Sequence, residues 1–370
     1  MKARVALVGT RPETVMADYR RVMELAGYRE HLSPERDLIL KLNLSWTKYF
    51  PACSSQPWQV EGVVKTLRED GFVPEHLIPL ENKTVVTEPR KGCRNNLWEP
   101  VLNAYDLTFR SLPEEEWVVH RFERPLLKLN QIFPEGIEIP KLYAGKDILH
   151  LPTVKTHGHS TTTGAIKNAF GGLLKEVRHY AHKYIHEVLV DLMFMQRELH
   201  PNVFAVMDGT VCGNGAGPRT MEPVAGNVLL ASADQVAIDA VAAKLMGFDP
   251  LAIPYLRMCD DEGVGTARPQ DIELVGDEEL FGLALGFESK RSFVIWGDQM
   301  LRRGGLRMLE KIALHSPLVV WAPFASNVYH DLLWYPTVGK ACIKRFSQTP
   351  WGELFDAYAR KGPLRDGRDG

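Results

Sequence analysis

Short apolar runs alternate with longer segments of helical periodicity, and that alternation constrains the fold more than any other feature. Residues 5–8 are followed by a helical pattern over 12–26, and residues 38–42 by another over 58–70 that stops at Gly71. Strands separated by helices form βαβ units, which need a largely parallel sheet covered on both faces.

The pattern is interrupted once. Residues 118–122 and 127–139 are strand-like without a helix between them, which predicts a hairpin or small inserted sheet. Alternation resumes with a strand over 147–154, helices over 164–174 and 185–199, strands over 203–207 and 228–231, and a helix over 234–246 stopped at Gly247. After Gly297 the character changes: residues 301–370 hold eleven Lys/Arg against six Asp/Glu, with Trp321, Phe324, Tyr329, Trp334, Tyr335 and Trp351 among them. The expected architecture is α/β, a largely parallel sheet with flanking helices, a small inserted β region and a basic, aromatic C-terminal appendage. Its parts are an N-terminal half (1–110), the insertion (111–146), a second half carrying the main site (147–298) and the appendage (299–370). Prolines 317, 323 and 336 interrupt the apolar stretch 312–338 and argue against a transmembrane helix. That stretch is expected to pack on the body or to dock a protein partner or membrane surface.

A net charge of -2 gives no long-range field to collect nucleic acid, so none is expected as a partner. Five dispersed cysteines with no C-x-x-C pair suit neither a disulfide framework nor a metal knuckle and point to a reducing compartment. The N-terminal apolar run is too short for a signal peptide, and the expected location is cytoplasmic.

The densest chemical signal is the run from Leu151 through Lys155, His157, His159, Thr161-Thr162-Thr163-Gly164, Lys167 and Asn168 to Gly172, where a strand empties into a polar loop and then a helix. Ligands of α/β sheets collect at strand ends, and a helix N-terminus attracts anions. Lys155, Lys167, Asn168 and residues 161–164 are therefore candidate binders of a small anionic substrate or cofactor, with Lys41 and Asn43 at an earlier strand end. His157, Lys167, His182 and Asp208 are the candidate catalytic groups. The imidazoles provide proton transfer and Asp208, at a strand end followed by a flexible glycine-rich loop over 213–219, provides orientation. On one helical face His179, His182 and His186 could ligate a divalent transition metal, with Asp191 or Asp208 as an oxygen ligand. Asp234 stands at an N-cap position, and Asp239, one turn on, needs a partner if buried. The competing reading is structural: Thr163 as a plain cap, solvated lysines and turn glycines.

Several blocks in order, Lys41-Leu-Asn43, Leu151 to His157, Gly164 to Gly171, Asp208-Gly209, Leu230 to Ala242 and Met246 to Pro250, resemble the family catalogued as domain of unknown function 362 over about 37–276. The resemblance implies no settled reaction. Many members carry a ferredoxin-like iron–sulfur segment, which implies redox work, but this chain has no C-x-x-C-x-x-C-x-x-x-C-P run and cannot ligate such a cluster itself. The spacing of His157, Lys167 and His182 is also similar to the nickel-pincer lactate racemase family. There the lysine carries a metal-containing cofactor and histidines ligate nickel or move the substrate proton. The sequence thus points to an enzyme on a small anionic molecule, by redox or racemase-like proton transfer. The alternative is a non-catalytic binding or scaffold protein.

Overall fold

The computed structural model describes residues 2–84, 86–175, 181–290 and 326–364. Its strands are β1 (Ala3–Gly9), β2 (Leu38–Lys41), β3 (Leu77–Glu81), β4 (Arg110–Ser111), β5 (Trp117–His120), β6 (Ile137–Pro140), β7 (Asp147–His150), β8 (Thr153–His157), β9 (Thr161–Thr162), β10 (Val203–Ala216), β11 (Thr220–Ser232) and β12 (Ile272–Gly276). One sheet runs β12-β1-β11-β10-β7-β2-β3-β4, with β8 on β10 and β9 on β8. β2 is parallel to β3 and β7, β7 and β8 to β10, and β1 to β12, whereas β11 is antiparallel to its neighbours β1 and β10. β5 and β6 form a separate antiparallel pair.

The apolar runs are continuous because both faces of the sheet are covered. Along β1, Val5 and Leu7 join one core cluster and Ala6 and Val8 the other. The same two-residue alternation divides Ala205 and Met207 from Phe204 and Val206 in β10. One layer contains the helices Ala165–Leu173, Ile185–Leu199, Gln235–Met246 and Pro254–Asp261. The other contains Val15–Leu25, Pro57–Glu69, Trp98–Ala104 and Pro350–Lys361. In that second layer the C-terminal region packs on the body: Trp351 lies 5.3 Å from Trp58 between ring centres, Phe355 stacks on Tyr49 at 3.7 Å, and the Tyr358 hydroxyl reaches Glu61.

Three local expectations are corrected. The run 147–154 is two strands, broken at Leu151-Pro152, since proline has no N–H for the ladder. Residues 127–139 are not one extended run. Asp191 accepts the backbone N–H groups of Leu127, Lys128 and Leu129 and starts the short helix Leu129–Ile132, and Gly136 then turns the chain into β6. The region after Asp208 is no loose loop: β10 continues to Ala216 and returns as β11. Its glycines mark close approaches, since a Cβ at position 217 would lie 1.9 Å from the Thr156 carbonyl oxygen and one at 209 would lie 2.7 Å from Val228.

No helix among the described residues is long and apolar enough to cross a membrane.

Candidate functional site

The strand ends of β2, β3, β7 and β8 meet in a buried polar layer. Lys41 is 1% exposed, forms an ion pair with Glu81 and donates to the Leu42 carbonyl at 2.6 Å. Asn168 donates to the Lys41 carbonyl at 3.0 Å, and its own oxygen accepts from the Asn43 amide at 3.2 Å. The Asn43 oxygen in turn accepts from Lys155. Lys155 gives its other two protons to the Cys53 carbonyl and the Thr153 hydroxyl, both at 2.8 Å. All three acceptors are uncharged, and burial draws the Lys155 ammonium down to about 8. The structure therefore brings Lys41, Asn43, Lys155 and Asn168 together, although in a layer engaged with itself. Glu81 and His150, which complete it, escape the sequence reading. Glu81 ends the apolar run 77–80, and the strand-end logic used for Lys41 would have found it.

The expected anion site at the helix N-terminus is already filled. Asp239 accepts the amides of Ala165 at 2.6 Å and Ile166 at 3.1 Å, so the acceptor there belongs to the chain, and burial pushes that carboxyl well above the usual range. The threonines serve the same structure: the Thr162 hydroxyl meets that of Tyr255 at 3.0 Å, the Thr163 hydroxyl donates to the Lys155 carbonyl at 3.2 Å, and Thr161 forms the β9 turn at positive φ. Asp234 caps its helix through the amides of Val236 and Ala237.

Beyond β8 lies a cluster of rings. His157 and His159 are 5.8 Å apart between ring centres, and His182 lies 5.5 Å from His159 and 5.4 Å from Phe170. Lys167 stands 5.4 Å from the centre of the same Phe170 ring. His157 is buried, while His159, Lys167 and His182 are half-buried. The Nδ1 of His157 faces the backbone N–H groups of His159 at 3.1 Å and Ser160 at 3.3 Å. Backbone amides only donate, so Nδ1 is an acceptor and a neutral ring carries its proton on Nε2. Burial, with Lys167 and the neighbouring imidazoles adding to it, holds His157 well below the usual histidine range. A neutral His157 is therefore a hydrogen-bond donor at Nε2.

Asp208 does not join this cluster. It accepts from the Tyr19 hydroxyl, the Trp58 indole N–H at 3.2 Å, and the amide and hydroxyl of Thr210. Tyr19 and Trp58 belong to the layer on the other face of the sheet from the helix carrying Lys167, so Asp208 cannot orient His157 or His182.

Of the expected metal ligands, the described ones point to different neighbours. His179 lies outside the described residues. His186 stacks on Tyr255 at 6.2 Å while His182 turns to His159 and Phe170, and Asp191 is spent on three amides. Among the described residues no group of three His, Cys, Asp or Glu is placed to hold a metal ion.

A family model described as Domain of unknown function (DUF362) matches residues 38–244. The chain is also similar to the thylakoid-associated protein sll1697 of Synechocystis sp., with 25% identity over 278 residues, covering 72% of this chain and 81% of that protein. No solved structure matches.

Proposed function

The chain belongs to the domain of unknown function 362 family, and from that premise we propose that it binds a small anionic molecule at His157, His159, Lys167 and His182 and moves a proton on it. The observation that carries this reading is the locked ring of His157. Two amides occupy its Nδ1, so a neutral imidazole carries its proton on Nε2, in the same cluster as His159, Lys167 and His182. A neutral donor and a lysine ammonium hold the negative charge that develops on a carboxylate oxygen when the proton on the adjacent carbon is removed and the electron pair delocalises into an enediolate. His182, half-buried beside His159 and Phe170, takes that proton and returns it. The buried layer of Lys41, Glu81, Asn43 and Lys155 fixes the strand ends beneath the cluster.

The test uses inorganic phosphate and L-lactate as probes, with the histidine ¹⁵N resonances as readout and lactate C2 hydrogen exchange in D₂O as the catalytic readout. Either anion should shift the resonances of His157, His159 and His182, with affinity falling at least about tenfold in Lys167→Ala, as expected for losing a charged hydrogen bond. Binding without exchange would leave a ligand-binding protein. Resonances that ignore both anions would remove this cluster as the site.

A further inference from the structure

We infer that the face formed by Leu332, Leu333 and Val338, with Lys340 and Lys344 beside it, seats this protein on an anionic lipid surface. Among the described residues five large hydrophobic side chains are exposed, and three of them are these, at 67%, 58% and 48%. They lie on the helix Val328–Gly339, Leu332 next to Leu333 and Val338 about one turn on, with Pro336 and Thr337 also exposed between them. The opposite side of the same helix is anchored. Trp334 and Tyr335 pack against Trp46 at 6.0 and 5.0 Å between ring centres, and the Tyr335 hydroxyl donates to the Tyr49 carbonyl at 3.0 Å. The Trp46 indole N–H donates to Asp331 at 2.8 Å, which turns the nearest carboxylate inward. The helix is held firmly on one side, and its apolar side faces water.

Charge selects the occupant. Residues 332–352 contain no Asp or Glu but three cations, Lys340, Lys344 and Arg345, all exposed on the helix Lys340–Phe346 that continues the first. Apolar side chains followed by positive charge, with the preceding Asp331 paired to Trp46 and Lys48, match the boundary between acyl chains and anionic headgroups, where each basic residue adds to the attraction. The loop beneath this face, residues 43–55, also supplies Asn43 and Cys53 to Lys155, so docking would press against one wall of the polar layer.

The experiment is flotation of the full chain with vesicles of phosphatidylcholine plus phosphatidylglycerol and with phosphatidylcholine alone. Wild type should rise with the anionic vesicles and far less with neutral ones, and raised salt should weaken the binding. Leu332→Asp/Leu333→Asp should bind at least about tenfold more weakly, and Lys340→Glu/Lys344→Glu should lose most of the anionic preference, both with unchanged thermal unfolding because the sites are exposed. Failure of wild type to bind, equal binding to both vesicles, or variants that bind like wild type would overturn the inference. So would sedimentation showing that wild type self-associates and that Leu332→Asp/Leu333→Asp disperses it, which would make a second copy the occupant.

Discussion

Asp239 occupies the space that any side chain at position 164 would need: a Cβ built on Gly164 would lie 2.2 Å from the Asp239 carboxylate. Two helices far apart in sequence are joined there, because that carboxylate closes the first turn of Ala165–Leu173. Gly164 also has φ of 112°, a region that L side chains rarely adopt. Gly164→Ala should therefore cost about 2–4 kcal/mol in urea unfolding, by expelling the carboxylate and straining the backbone. A loss under about 0.5 kcal/mol would show that the cap is dispensable.

The Lys41–Glu81 pair supports the strand ends from inside. Lys41→Met leaves Glu81 buried without its cation and should destabilise by about 3–5 kcal/mol, whereas Lys41→Met/Glu81→Leu should recover much of that loss. If the double variant is as unstable as the sum of the singles, the two side chains act independently.

Lys155 gives a pH signature. Its ordinary value of 10.5 falls to about 8 in the folded chain. Between those values the unfolded state binds more protons, so stability rises with pH across that window. Measured as wild type minus Lys155→Met, the rise should reach about 3 kcal/mol from pH 8 to pH 10.5. A flat difference would mean that the ammonium is better compensated than its three neutral acceptors allow.

Buried histidines act at the other end of the scale. Burial lowers His200 from 6.5 to about 4 and His150 to about 3. The unfolded chain binds more protons below pH 6.5, so stability falls as the solution is acidified through that range. By pH 5 His200 alone should have withdrawn about 2 kcal/mol, and His200→Asn should flatten the profile by that amount in denaturant titrations at pH 7 and pH 5. Identical slopes in both proteins would place the acid sensitivity elsewhere.

The sheet was legible because both of its faces are covered: Val5 to Val8 must be apolar throughout, and such runs are visible without any partner in view. The helix Ile185–Leu199 and the Asp234 cap follow from local pattern alone. What misled was chemistry that distance decides. Gly209, Gly213 and Gly217 resemble a loop in sequence, yet they are glycines because β11, Lys155 and Thr156 crowd them. Asp208 stands near the site in sequence and on the wrong face of the sheet in space, since a strand sends alternate side chains to opposite sides. The acceptor at Gly164 is the chain's own Asp239 rather than a bound anion, and nothing in the spacing of 74 residues announces that pairing.

The ring of His157 offers the sharpest check on the proposed chemistry. If its Nδ1 accepts from His159 and Ser160, protonating that nitrogen must break both bonds as well as bury a charge beside Lys167. The ring should then keep the Nε2–H tautomer, with Nδ1 unprotonated, from pH 8 down through pH 5, roughly a unit and a half below where an unperturbed histidine titrates. Two-bond ¹H–¹⁵N spectra of the histidines distinguish the two nitrogens directly. A ring that titrates near pH 6.5, or that carries its proton on Nδ1, would be able to act as a base itself. The division of labour between a donating His157 and a proton-accepting His182 would then have to be given up.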